Sequence, residues 1–204
     1  NVLDPFAVID RFGSDALRYY LMRDVSFGQD GSVSAGAFEE RYERELANDY
    51  GNLASRTIAM IGRYRDGHAP DVRHDAALDA DFDELATRVA ELLDQAEVTQ
   101  ALEEIWVRVR RLNRYVEERA PWKLAKDESA AGELDVVLAS LAEGLRVITV
   151  LLHPWLPATS EKLLAALGTP DHALEAAQLG ARRVGAVAPI EPLFPKQPPE
   201  PAAA

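Results

Sequence analysis

Residues Ala35 to Arg65 read AGAFEERYERELANDYGNLASRTIAMIGRYR, and the fold turns on this stretch. Tyr42, Leu46, Leu53, Thr57, Met60, Ile61 and Tyr64 fall near one stripe of a helix with about 3.6 residues per turn. The spacing therefore predicts one long amphipathic helix from Ala35 to Arg65, ended by Gly67 and Pro70. Asn52 and Arg56 stand four residues apart on one side of it, away from the apolar stripe. Asn is a weak helix former in mid-helix, so local propensity does not explain its presence there.

Outward from this helix nearly everything reads helical. Asp4-Pro5 starts a short helix that Gly13 ends, and Ser14 caps a second one with Ala16, Leu17, Tyr20 and Leu21 on one face. Ser26 to Ser34 is a Gly- and Ser-rich loop, with Phe27, Asp30 and Gly31 as a structural turn. The acidic stretch Asp71–Asp83 reads as a connection. Phe82, Leu85, Val89, Leu92 and Leu93 mark one further helix, and Leu102, Ile105, Val109, Leu112 and Val116 the next. Pro121 resets the chain. The run from Leu134 to Leu152 is the most apolar helix, and Trp155 to Leu167 the last, stopped by Gly168. The segment from Ala188 is Pro-rich and extended, with Leu193 and Phe194 as its anchors. Long helices with short joints imply an all-α helical bundle, here with a short N-terminal helical connector and an extended Pro-rich tail.

The 204 residues suffice for one large domain or a main domain with an annex. Hydrophobic residues make up 48% of the chain, enough for a real core. With no Cys, disulfides and thiolate metal sites are excluded. No apolar run approaches the roughly 20 residues needed to span a bilayer. Asn1-Val2-Leu3-Asp4-Pro5 has neither an initiator Met nor a signal peptide and reads as a cut inside a longer protein.

A net charge of −12 argues against non-specific adhesion to nucleic acid or anionic membrane. The average hides a basic island. Arg108, Arg110, Arg111, Arg114, Arg119, Lys123 and Lys126 face only Glu117 and Glu118 within Ile105–Lys126. Taken by itself, such a run reads as a solvated helix face. Within the island, Ala120–Asp127 (APWKLAKD) puts a large aromatic, Trp122, at a helix restart beside two lysines.

Catalytic motifs are missing from the sequence. There is no Gly-rich phosphate loop. His68, His74, His153 and His172 lack metal-ligand spacing, and no Ser or Thr is paired with a His at a nucleophile elbow. No catalytic residue and no metal site are expected in this chain.

Three stretches resemble the methionyl-tRNA synthetase family of class I aminoacyl-tRNA synthetases. Residues 1–31, NVLDPFAVIDRFGSDALRYYLMRDVSFGQDG, look like the segment after the ATP-site signature loop, a character that leucyl, isoleucyl and valyl relatives share. LANDYGNLASRTIAMIGRY (46–64) resembles the first long helix of the methionyl anticodon-binding domain, and NRYVEERAPWKLAKD (113–127) its Trp-bearing helix break. FGQDG, GNLASR and APWKLAKD in this order point to the methionyl enzyme.

The resemblance implies a stem-contact and connector segment over 1–34, an anticodon-binding bundle over 35–168, and a C-terminal extension over 169–204. It also implies tRNA-Met and the enzyme's own N-terminal catalytic domain as partners, with no membrane, and a cytoplasmic location. ATP with Mg, methionine and a structural Zn would belong to the catalytic half.

By the resemblance, Asn52, Arg56 and Trp122 read the CAU anticodon. This suits their chemistry, because single-stranded bases are read by stacking and by hydrogen bonds to their edges. Arg114, Arg119, Lys123 and Lys126 would attract phosphates. Read without the resemblance, Trp122 is a core residue and Asn52 with Arg56 an ordinary surface or interhelical pair. Glu117 is by default a surface acid, its alternative being to orient Arg56 or repel wrong bases. Two other functions stay open: a freestanding helical interaction module, and the same region of another class I synthetase.

Overall fold

The computed structural model describes residues 3–24 and 33–196. The turn expected at Phe27, Asp30 and Gly31 and the outer part of the tail lie outside the described residues. Helix α1 (Pro5–Phe12) opens with the Asp4 carboxylate accepting the Phe6 N–H at 3.0 Å and closes at Gly13. Helix α2 (Ser14–Asp24) follows directly.

The helix expected over Ala35–Arg65 is present along its whole span but is not uniform. Helix α3 (Ala35–Arg41), capped by Ser34, passes into ten residues of π-helix, Tyr42–Gly51, and then into α4 (Asn52–Arg65). In the wide turn the Asn52 N–H reaches the Ala47 carbonyl five residues back. Gly51 makes this possible, since a Cβ there would stand 2.9 Å from the Leu46 carbonyl oxygen. Along the wider turn Glu45, Leu46, Ala47, Tyr50 and Gly51 are all buried.

Three other expectations are corrected. The acidic connection contains a helix, α5 (Ala76–Phe82), begun by the Asp75 side chain accepting the Ala77 N–H. Phe82 ends that helix and does not belong to the next. Glu84, at φ 56°, turns the chain before α6 (Leu85–Asp94) starts. Helix α7 (Val98–Arg119), the single turn α8 (Pro121–Leu124) and α9 (Ala131–Leu152) then follow in the places expected. Helix α10 (Pro157–Ala166) starts later than Trp155, because Trp155 and Leu156 sit in a tight turn and pack into the core.

Helix α9 is the axis of the molecule. Every residue from Val137 to Leu152 is buried, by α7 and α4 along its sides, α10 at its end and α8 near its start. Gly144 lets α7 approach closely, because a Cβ there would meet Leu112 at 2.8 Å. The connector helices share the same core. Tyr19 and Tyr20 of α2 are buried against Trp106 and Phe38 at ring separations of 4.8 and 5.3 Å. Asp15 accepts the Thr159 N–H at 2.7 Å, which ties α2 to α10. The C-terminal extension returns across the bundle, its Val187 N–H donating to the Gly67 carbonyl and its Ala188 N–H to the Ala166 carbonyl. Among the described residues no helix is long and apolar enough to cross a membrane.

A buried ionic cluster joins α2 to the π-helical segment. Glu45 accepts from the Tyr19 hydroxyl at 2.5 Å, from Arg23 at 3.3 Å and from Arg41 at 3.0 Å, while Arg23 also pairs with Glu103 and Arg41 with Asp24. Burial alone would raise the Glu45 pKa, but the Tyr19 hydroxyl and the two guanidinium groups outweigh it and hold the carboxyl below the ordinary glutamate range. The unfolded chain then takes up this proton at a higher pH than the folded one. The stabilising contribution is fully present above the ordinary glutamate pKa of about 4.3 and is lost as pH falls through the depressed folded value. Urea unfolding midpoints measured across this acid range should fall less steeply for Glu45→Gln than for the wild type. Equal slopes would remove Glu45 as a source of acid sensitivity.

Candidate nucleic-acid interface

The helix break that the sequence places at Pro121 is built from three local features. Ala120 adopts the left-handed conformation (φ 43°, ψ 60°), and its N–H closes α7 on the Val116 carbonyl. Pro121 is buried at the first position of α8, where a missing N–H costs nothing. Trp122 is therefore turned out of the α7 line. It is half-buried and packs against the core.

Arg56, one turn into α4, lies over that indole with its guanidinium carbon 5.9 Å from the ring centroid. Its Nη2 donates to Glu117 Oε1 at 2.8 Å. Glu117 is thus more than a surface acid, since it holds the guanidinium beside Trp122. The hold is light. An exposed ion pair contributes about 0–1 kcal/mol and an exposed cation–π contact about 0.5–1 kcal/mol, so an incoming group can displace either. Asn52 is exposed one turn before Arg56, immediately after the π-helical segment, with no side-chain partner among the described residues.

The structure thus brings Arg56, Glu117 and Trp122 into one cluster, from α4, α7 and α8, and sets Asn52 on the same face of α4. The four candidate phosphate contacts divide. Lys123 and Lys126 are exposed and have no ion-pair partner among the described residues. Arg114 is exposed and only loosely held by Glu118, at 3.8 Å. Arg119 is committed elsewhere, to Asp75 at 3.0 Å and Glu133 at 3.7 Å.

The rest of the basic island is neutralised by the fold. Arg108 pairs with Glu104, Arg110 with Glu103, and Arg111 with Asp81 and Glu118. Of these only Arg110 is solvated; Arg108 and Arg111 are largely covered and paired with acids from the Asp71–Asp83 stretch and from α7. What stays positive is the short segment around Trp122.

One neighbour of the site escaped the sequence reading. Residues 192–196 of the extension lie beside Asn48, Asn52 and Ser55. Phe194 anchors them against Tyr42 and Tyr50, at ring separations of 6.0 and 6.4 Å, and the Tyr42 hydroxyl donates to the Pro195 carbonyl at 2.9 Å. Leu193 and Phe194 stood out as anchors in the sequence, but nothing local says which helix they meet. Among the described residues no group of three His, Asp or Glu side chains is placed to hold a metal ion.

Comparison with known proteins agrees in two segments. Residues 1–58 match the family model described as tRNA synthetases class I (M), and residues 67–189 match the anticodon binding domain of methionyl tRNA ligase. A methionine–tRNA ligase of Caldanaerobacter subterraneus is 45% identical over 175 residues, covering 84% of this chain and 27% of its own length. That of Bacillus subtilis is 41% identical, covering 96% of this chain and 31% of its own length. Among solved structures, the free-state methionyl-tRNA synthetase of Mycobacterium tuberculosis superposes with a TM-score of 0.89 at 35% identity, over 97% of this chain and 42% of that one. The chain thus spans less than a third of these curated relatives.

Proposed function

This chain belongs to the methionyl-tRNA synthetase family, and from that premise we propose that it is the part which reads the CAU anticodon of tRNA-Met. The observation that carries the reading is the cluster of Arg56, Glu117 and Trp122, which places a planar cation and an indole at one solvent-facing helix break. An unstacked base laid on Trp122 meets the Arg56 guanidinium at its edge, while Asn52 offers both a donor and an acceptor one turn away. Lys123 and Lys126 draw the phosphates in. Methionine activation with ATP and Mg, and attachment to the tRNA, fall to the catalytic portion that the relatives carry beyond the span of this chain.

The test is a gel-shift series with anticodon stem-loop RNAs of CAU and single-base variants. Arg56→Lys keeps the charge but removes the planar fork. It is expected to lose about tenfold in affinity for the CAU loop, or ~1.4 kcal/mol, and to discriminate less against loops altered by one base. Thermal melts should be unchanged. If the Lys variant binds and discriminates like the wild type, Arg56 acts only as a charge and the edge-reading role fails.

A further inference from the structure

Asn48, Asn52 and Ser55 form an exposed to half-exposed polar stripe along the π-helical segment and α4, and Arg56 continues it toward Trp122. On the side away from Trp122, the stripe is faced by the strap of residues 192–196. Between stripe and strap runs a groove of about 580 Å³. That volume lies within the roughly 300–1,000 Å³ of small-ligand pockets. Its two walls differ chemically. The helix wall offers two carboxamides and a hydroxyl, with no side-chain partner among the described residues and each able to donate and accept. The strap wall offers the rings of Pro192 and Pro195, flat apolar faces on backbone whose position is fixed by Phe194, with Lys196 exposed at the rim.

We propose that this groove takes a second unstacked nucleotide of the anticodon loop, the neighbour of the one on Trp122. The inference rests on the anticodon-reading function and adds to it a pocket and a specificity element, the strap. Three features point to RNA. Amides on one wall suit the edge of a base, and flat C–H faces on the other suit its π surface. A lone lysine at the mouth suits the phosphate that joins this nucleotide to the next. Continuity supplies the fourth argument, because Asn52 borders both this groove and the Arg56–Trp122 cluster. Two adjacent bases splayed to either side of Asn52 would both meet it.

The experiment compares the whole chain with Ser55→Tyr, which fills the groove from the helix wall, and Lys196→Ala, which leaves the groove open. The probes are CAU anticodon stem-loops, intact or with one loop base replaced by an abasic site, titrated by fluorescence anisotropy. Ser55→Tyr is expected to weaken the intact loop by about 5- to 150-fold, the range for losing one stacked base. It should also erase the abasic penalty at one loop position while leaving the penalty at the position held by Trp122. Lys196→Ala should lower the salt slope by about one without changing any abasic penalty. Melting curves confirm that both variants fold. Affinities and penalties in Ser55→Tyr equal to those of wild type overturn the groove assignment. If Trp122→Ala also leaves RNA binding untouched, the anticodon-reading function itself fails, whereas a Trp122 effect without a Ser55 effect sinks the groove alone.

Discussion

Trp122→Ala is expected to weaken binding of the CAU stem-loop by about 5- to 150-fold, or roughly 1–3 kcal/mol. The indole is the platform proposed for a base and also the surface over which Arg56 lies. Its removal therefore takes away the stacking contact and the support of the edge-reading group together. Trp122 is half-buried, with one side on the core, so some folding stability goes as well. A site of this kind, away from the fully enclosed core, should lose less than the 3–5 kcal/mol typical of a buried Trp→Ala cavity. Trp122→Phe should recover part of the affinity, since a smaller ring still offers a π face. Salt dependence should hold steady, because no phosphate neutraliser has been removed. Binding measured well below the melting temperature of each variant separates the two effects. An unaltered affinity in a folded Trp122→Ala chain removes the central residue of the site.

The position of this residue between core and platform was only half visible in the sequence. Pro121 marks a helix break from composition alone, and Asp4-Pro5, Gly13 and Gly168 mark other boundaries in the same way, because each fixes a backbone dihedral or removes a donor locally. The break at Glu84 carries no such mark. A glutamate at φ 56° is held there by the packing of Phe82 and Leu85 into one core from two helices, so the apolar pattern runs on where the helix does not. The π-helical segment was hidden for a related reason. Pattern reading assumes one period, and the wide turn changes that period over Tyr42–Gly51. Gly51 is its local sign, but it acquires meaning only through the Leu46 carbonyl that lies where a Cβ would be.

Charge shows the same limit from another side. Counted along the chain, Ile105–Lys126 is a basic island in an acidic protein. In the fold, Asp75 and Asp81 from the acidic connection reach Arg119 and Arg111, and the two charge excesses largely cancel. Asp75 also caps α5 and accepts the Tyr115 hydroxyl, so one residue of an apparently featureless linker organises three contacts. Arg119 looked like a phosphate contact because neighbours in sequence were counted and partners in space were not. Lys123 and Lys126 lie beyond those acids and have no ion-pair partner among the described residues.

Glu143→Ala is expected to cost about 3–5 kcal/mol, the largest loss of stability predicted for any single change considered. Arg146 on α9 is fully buried, and its guanidinium donates to both oxygens of Glu143, at 3.1 and 3.0 Å. It also donates to the Ala176 and Gln178 carbonyls, at 2.5 and 2.6 Å, while Glu143 accepts the Gly180 N–H at 2.9 Å. The pair thus fastens the start of the C-terminal extension to the central helix. Without Glu143 the guanidinium keeps two carbonyl acceptors but has no counter-charge, and a buried unpaired cation costs far more than the pair contributes. The cheapest escape is for the extension to lift away and admit water. Hydrogen exchange at the Val187 and Ala188 amides, which hold the extension on Gly67 and Ala166, should then accelerate by about two to three and a half powers of ten, as ~3–5 kcal/mol requires at roughly 1.4 kcal/mol per factor of ten. Amides in the middle of α9 should accelerate less. Replacing both partners, Glu143→Leu with Arg146→Met, removes the stranded charge; the groups released at Gln178 and Gly180 lie at exposed residues and can take water, and the Ala176 carbonyl is the buried group left to be re-satisfied. This double variant should be more stable than Glu143→Ala alone. If Glu143→Ala melts and exchanges like the wild type, Arg146 is neutralised by something other than Glu143, and the extension is held to the bundle chiefly by Phe194 and its aromatic neighbours.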